Sequence, residues 1–277
     1  MKSLIKKTLP KSALRMIINV RDKRGLDVVP KYSFDVSHLK KEENLDFEGI
    51  FSDQKIKDMW NIDQESIVMC LGKDGTSGGI NPGDRRALYS LIAALKPQNV
   101  LEVGTHIGAS TLYISSALKH AGENAKLTTV DILDVNAEDA PWKKLGLQMS
   151  PRDFASKLGC ADSIEFKATP AQLYMQDTKN RFDFIFLDGD HSSQAVYKEV
   201  SMALKLLNPG GVILLHDYYP DAKPLFSNGV IIPGPFRALD RIARENAGLY
   251  AKPLGQLPWP TKLGGNVTSL AVVTKQA

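Results

Sequence analysis

The chain has 277 residues, of which 43% are hydrophobic and 24% charged, without an internal repeat or low-complexity tract; this is the composition of a globular protein with ample length for a core. Its two cysteines, Cys70 and Cys160, lie far apart without metal-ligand spacing, which excludes a disulfide framework and a zinc site and fits a reducing cytoplasm. The net charge of +4 is uneven: Lys2, Lys6, Lys7, Lys11, Arg15, Arg21, Lys23 and Arg24 stand against Asp22 alone in residues 1–25, so the body is slightly acidic and is not a basic nucleic-acid binder.

No apolar run approaches the ~18 residues of a membrane span, and the N-terminus lacks the apolar core of a signal peptide. Leu4, Ile5, Leu9, Leu14, Ile17 and Ile18 interleave with the N-terminal basic residues, with Pro10 and Ser12 as start signals for a short helix. Such a basic amphipathic arm suits an anionic membrane surface or an acidic partner; it equally suits packing on the body or on a second copy in a homo-oligomer. The expected location is therefore cytoplasmic, with the inner membrane face as a candidate. From Leu26 to about Ile62 the pattern is mixed, with a helix expected near Asp53 to Trp60. Residues 1–62 are read as arm and helical extension, and 63–277 as the domain. Thr76-Ser77-Gly78-Gly79 is a polar flap or a plain connector. Asn81-Pro82-Gly83-Asp84 then reads as a helix cap with proline in the first turn, opening a helix through Leu88, Leu91, Ile92 and Leu95.

The stretch Asn99 to Ser110, NVLEVGTHIGAS, organises the rest of the chain. An apolar run ends in Glu102, Gly104 and Gly108 bracket a turn, and Ala109 to Leu118 has helical periodicity, so the order is strand, tight turn, helix. Glycine tolerates positive φ and lets a ligand approach the backbone, while the helix start offers unpaired N–H groups. The G-x-x-x-G spacing does not match a dinucleotide fingerprint. A second strand, Leu127 to Asp131, ends in an acid able to accept both ribose hydroxyls of a nucleoside. Asp134, Glu138 and Asp139 come next in an inserted loop, and Ser150-Pro151-Arg152-Asp153 starts a helix. Ile164 to Ala168 is the third strand, with Thr169-Pro170-Ala171 as a helix entry.

The run Phe182 to Leu187 leads into Asp188-Gly189-Asp190-His191. Beyond it come a helix from about Ser192 to Leu207, a turn at Asn208-Pro209-Gly210-Gly211 and a strand Val212 to Leu215 ending in His216-Asp217. In an open parallel sheet these clusters share one edge with the Gly104 turn, where such folds bind ligands. Helix capping is the plainer role for Asp188 or Asp217. His106 and His120 read as loop and helix-surface histidines. A helix from Phe236 to Asn246 and two extended segments, Tyr250 to Leu257 and Thr268 to Lys275, complete an α/β fold: a Rossmann-like, seven-stranded, mostly parallel sheet with a final antiparallel strand and helices on both faces.

Residues from about Gly78 to Gln276 resemble a class I S-adenosylmethionine-dependent methyltransferase. LEVGTHIGAST is similar to the cradle of the catechol and caffeoyl-CoA O-methyltransferases; FDFIFLDGDH with PGGVILLHDY resembles bacterial O-methyltransferases of small molecules and sugars. The resemblance implies transfer of a methyl group from S-adenosylmethionine to a hydroxyl of a small molecule. Glu102, Gly104, Thr105, Gly108 and Ser110 would form the cradle, Asp131 and Ile132 would hold the ribose side, Thr169 and Ala171 would border the adenine, and Asp188 would close the site. The catechol enzymes' catalytic lysine falls on His191, and an imidazole suits a general base at neutral pH. Their metal-binding acids fall on Asp188 and Asp217, which makes Mg2+ a candidate cofactor, but their asparagine is replaced by Tyr218. Two alternatives stay open: an NAD-dependent oxidoreductase would share the cradle and Asp131, and a nonenzymatic membrane-surface nucleotide-binding module would use the arm.

Overall fold

In a computed structural model of the chain, residues 11–71 and 79–275 are described, with backbone only for 11–18, 70 and 71. The first ten residues of the basic arm and Thr76-Ser77-Gly78 of the expected flap lie outside the described residues.

Seven strands form one sheet in the order β3-β2-β1-β4-β5-β7-β6. They are β1 (Asn99–Val103), β2 (Lys126–Asp131), β3 (Ile164–Ala168), β4 (Phe182–Leu187), β5 (Leu207–Leu215), β6 (Leu249–Pro253) and β7 (Ala271–Lys275). The first five pair in parallel, and β7 runs antiparallel to both β5 and β6. Alternate residues face opposite sides of a strand. Val100, Phe184, Phe186, Val212 and Leu214 therefore enter one core cluster, and Leu101, Val103, Ile185, Leu187, Ile213 and Leu215 enter the other. Both faces are covered, which is why these strands read as continuous apolar runs.

The first face carries α2 (Phe47–Ser52), α3 (Gln54–Leu71), α4 (Pro82–Leu95), α5 (Ala109–Leu118) and α7 (Pro151–Lys157); α6 (Pro141–Lys144) is one turn within the inserted loop. α3 runs through residue 62, where the sequence placed the edge of the extension. Its Trp60 is buried, stacked on Tyr113 at 5.1 Å between centroids and edge-on to Tyr89 at 5.3 Å. Such a side chain contributes roughly 1.5–3 kcal/mol by burial alone, so this part of the extension belongs to the core.

The second face carries α8 (Ala171–Asp177), α9 (Ser193–Leu206) and α10 (Pro233–Glu245), with α1 (Lys11–Asp27) packed on α9. Asp22 of α1 accepts from Ser193 N at 2.7 Å, from the Ser193 hydroxyl and from Arg237 Nη1 at 3.0 Å. That capping contact, made from the N-terminal extension, fixes the start of α9.

The expected elements recur with three corrections. The segment Asn208-Pro209-Gly210-Gly211 is not a turn between helix and strand. Phe182 pairs with Leu207 and Phe184 with Val212, so the four residues form a bulge inside β5. A Cβ on Gly211 would lie 2.9 Å from Asp183 O, and Gly210 N donates to His38 O at 3.1 Å; those distant partners hold the segment extended. The last two strands are shorter than expected, at five residues each. The helix expected over Asp53 to Trp60 is longer, with Asp53 Oδ1 accepting from Ile56 N at its start. Asn81 and Ser150 cap their helices as the motifs predict, the latter in a full capping box. No helix among the described residues is long and apolar enough to cross a membrane.

Candidate active site

The carboxyl ends of the strands are tied together by main-chain bonds that continue past the sheet. Gly104 N donates to Val130 O, Asp188 N to Val103 O, His216 N to Leu187 O and Thr169 N to Asp131 O, at 2.8–3.1 Å. Four loops that are remote in sequence thereby open on one edge. Between them lies a cavity of about 750 Å³, within the range of small-ligand and cofactor sites. Gly104, Thr105, Ser110, Asp131, Ile132, Ala171, Asp188, His191 and Asp217 line it, together with His106, Gln172, Glu199 and His216. Glu102, Gly108 and Thr169, expected among the cofactor contacts, are not part of that lining.

Their positions explain this. Glu102 is fully buried beneath the turn, where its Oε2 accepts from Thr111 Oγ1 at 2.5 Å and Thr129 Oγ1 at 2.6 Å. Burial pushes its carboxyl up to about 7; hydrogen bonds from Ser110, Thr111 and Thr129 pull the other way, and the Asp188 charge adds to the rise. Gly108 starts α5 at φ 78°, and a Cβ there would lie 2.8 Å from Pro151 Cβ. Gly104, at φ 99°, has no room for a Cβ because Asp188 O would lie 2.3 Å away. The first glycine is thus required by the close approach of two strand ends as much as by a ligand.

Asp131 is held by two backbone donors, His106 N at 2.9 Å on Oδ2 and Leu133 N at 3.0 Å on Oδ1. Each carboxylate oxygen retains a lone pair for a further donor. A fixed, bidentate acceptor facing the cavity suits a vicinal diol. The cavity, the cradle turn and this acid together fit a nucleoside-bearing ligand.

At the other end stands a proton-carrying cluster. His216, 7% exposed, is hydrogen-bonded through Nδ1 to Asp188 Oδ1 at 2.9 Å and through Nε2 to Asp84 Oδ2 at 3.2 Å. Burial disfavours its charge, but the Asp188, Asp217 and Asp84 carboxylates outweigh that and raise its pKa well above the ordinary imidazole value. Both ring nitrogens are thus engaged by carboxylates, and neither faces the cavity free. His191 is different: its Nε2 lies 3.5 Å from Asp217 Oδ2 and its side chain is 37% exposed. Asp217 and His106 have φ of 54° and 51°, in the left-handed region that is sparsely populated by residues other than glycine.

Tyr218 takes no part in a metal-ligand set. It is buried in the second core face against Phe236, ring centroids 5.9 Å apart, and its amide donates to Ser269 O at 2.8 Å. Asp84, invisible as a site residue in the sequence, read only as part of a helix cap. It does serve there, accepting from Asn81 Nδ2 at 2.6 Å, and that local role masked the distant one. Glu199 carried no sequence signal, since one acid on a helix ordinarily faces solvent.

Residues 101–218 match the family model of a methyltransferase domain. The chain is 25% identical over 195 residues to the rhamnosyl O-methyltransferase of Mycobacterium leprae, covering 69% of this chain and 75% of that one. It is 32% identical over 148 residues to the caffeoyl-CoA O-methyltransferase of Populus kitakamiensis, covering 51% and 56%.

Residues 101–218 carry the methyltransferase domain, and the likeness to named O-methyltransferases supports S-adenosylmethionine-dependent methylation of a hydroxyl group.

The fold of this methyltransferase is shared by an O-methyltransferase from Bacillus cereus solved with S-adenosylhomocysteine, at TM-score 0.51 and 21% identity, covering 92% of this chain and 97% of that one. The chain spans little more than half of the poplar relative's length, and the family model stops at Tyr218. The Trp60 helix, Asp84 and the Asp22 contact therefore lie outside the matched domain.

Proposed function

We propose that this methyltransferase moves a methyl group to a hydroxyl of a sugar-containing small molecule, with His191 as the base that takes the hydroxyl proton. Bound S-adenosylmethionine supplies an electrophilic methyl on a sulfonium. The observation that carries the reading is the pairing of a half-exposed imidazole with a nearly buried carboxylate on the cavity wall: His191 beside Asp217, 3.5 Å apart. Asp217 orients the ring and stabilises the imidazolium that forms. In-line methyl transfer asks little covalent chemistry of a protein, so positioning and proton removal are what this chain's residues contribute. The rhamnosyl relative supports a sugar-linked acceptor, whose neutral hydroxyl needs a base. A dehydrogenase would share the cradle and Asp131 but leave the Asp188 and Asp217 clusters unexplained.

Asp188, His191 and Asp217 each offer a ligand atom within 4.8 Å of one another. Two carboxylates suit a hard divalent cation such as magnesium or manganese. Such an ion would be held by the two acids and would polarise the acceptor hydroxyl. Methyl transfer from labelled S-adenosylmethionine to a panel of glycosides, before and after exhaustive chelation, tests both proposals. Turnover that chelation abolishes and manganese or magnesium restores supports metal assistance. Full activity after chelation leaves His191 as the sole base, and no methylation of any hydroxyl overturns the acceptor class.

The partner of the N-terminal arm is, in this reading, an anionic membrane surface. On α1, Asp22 and Leu26 face the body, while Val20, Arg21, Lys23 and Arg24 are exposed. Basic residues contribute about 1 kcal/mol each near an anionic leaflet. The full chain should sediment with phosphatidylserine vesicles and a chain starting at Leu26 should not; equal sedimentation of the two eliminates the membrane.

A further inference from the structure

The cavity wall holds one buried acid for which the proton-transfer reading has no use. Glu199 is only 4% exposed, yet it lines the cavity from α9. Gly189 lies close to it: a Cβ there would be 3.9 Å from Glu199 Oε2. Gln172 of α8, on the same wall, offers it a side-chain hydrogen bond, and Asp190 from the loop before α9 is the charged group nearest it in effect. Among the described residues, the lining adds the acids Asp131, Asp188 and Asp217 and the imidazoles of His106, His191 and His216, and no lysine or arginine.

The order of groups along the cavity says which part of a ligand meets this acid. Gly104 and Ser110 lie at the cradle, and Asp131 stands where a ribose diol is held. Thr169 N donates to Asp131 O, so Pro170, Ala171 and Gln172 follow directly beside Asp131, and Gln172 stands next to Glu199. A nucleoside whose sugar rests on Asp131 and whose base extends along Pro170 to Gln172 brings that base to Glu199.

We infer that Glu199 reads the adenine of the S-adenosyl ligand, its carboxyl group pairing with the amino edge of the base; the inference rests on the S-adenosylmethionine reading of the cavity. Adenine presents an amino donor beside a ring-nitrogen acceptor. A carboxylate can meet only the donor, whereas a protonated carboxyl group offers one O–H and one carbonyl and meets both. Burial and the Asp190 charge push the Glu199 carboxyl up to about 8, against the pull of Gln172, so near neutral pH the protonated form is present. A glutamine in its place would present the same donor and acceptor pair at every pH, as amide side chains do when they read adenine bidentately.

Calorimetry with S-adenosylhomocysteine and with adenosine, on the wild type, Glu199→Ala and Glu199→Gln, tests this between pH 6.5 and 9.5. Glu199→Ala should bind both ligands roughly 10- to 100-fold more weakly, the loss expected of one or two hydrogen bonds. The equal loss for adenosine, which lacks the amino-acid end, assigns the effect to base and sugar. Glu199→Gln should stay within about threefold of the wild type at pH 7. Wild-type affinity should fall above about pH 8 relative to Glu199→Gln, whose own profile lacks that step. A folded Glu199→Ala that binds adenosine as the wild type does overturns the inference. So do parallel pH profiles for the wild type and Glu199→Gln, a criterion that needs no alanine variant. Failure of the wild type itself to bind S-adenosylhomocysteine overturns the cofactor reading instead.

Discussion

Along the Gly104–Asp131 side of the cavity, backbone groups do most of the positioning: strand ends are tied by main-chain bonds, and the Asp131 carboxylate is aimed by two backbone amides, Leu133 N beside it and His106 N from the cradle turn. On the Asp84–His216–Asp188 side, side chains hold one another. His216 reaches Asp84 across 132 positions of sequence and Asp188 across 28. The first arrangement is what any parallel α/β sheet supplies at its carboxyl edge. The second depends on charges that balance only when all are present, because an unpaired buried charge is costly. On the proposed roles, cofactor holding and proton handling would be separable in this protein.

The sharpest test of that separation is His191→Ala. It should lower the methyl-transfer rate on the order of 10²- to 10⁴-fold, the usual worth of a positioned base, and leave S-adenosylhomocysteine affinity unchanged. A parallel loss of affinity would mean that the two halves are not independent. The converse, Asp131→Ala, removes two charge-assisted hydrogen bonds to a ribose. Affinity should fall by roughly 10²-fold or more, with much less effect on turnover at saturating cofactor; a variant that binds normally would remove Asp131 from the site.

A smaller effect sharpens the comparison through pH. Glu102 at about 7 and Glu199 at about 8 both lie above the ordinary 4.5 of a glutamate. The folded protein then binds more protons than the unfolded chain over that interval, so stability falls as pH rises from about 4.5 and levels off above 8. His216, raised by its three acids, acts with the same sign: its contribution is complete below the unfolded imidazole value and fades as pH rises through the folded one. Each group sets a slope of at most about 1.4 kcal/mol per pH unit. Urea unfolding across pH 5 to 9 should show this decline in the ligand-free protein, with Glu199→Gln flattening its upper part. A flat or rising profile would mean these acids are not buried as charges in waiting.

Much of the fold could be read from sequence because its signals are local. An apolar run closed by an acid marks β1, β2 and β4 whatever surrounds them, and Asn81 and Ser150 announce helix starts through atoms three residues away. The cradle, Asp131, Asp188, His191 and Asp217 were legible on the same ground, since each stands just past a strand end. The bulge at Asn208 to Gly211 was not, because proline and glycine signal a turn until Phe182 pairs with Leu207. Asp84 and Glu199 were not legible either. The sequence by itself determined which residues end strands and begin helices, because those preferences are decided by neighbours within a few positions. Only the tertiary structure decided which acids lose their water, and the chemistry of a buried carboxyl is set by the groups the fold places against it: an imidazole from another strand for Asp84, an open cavity and a second acid for Glu199.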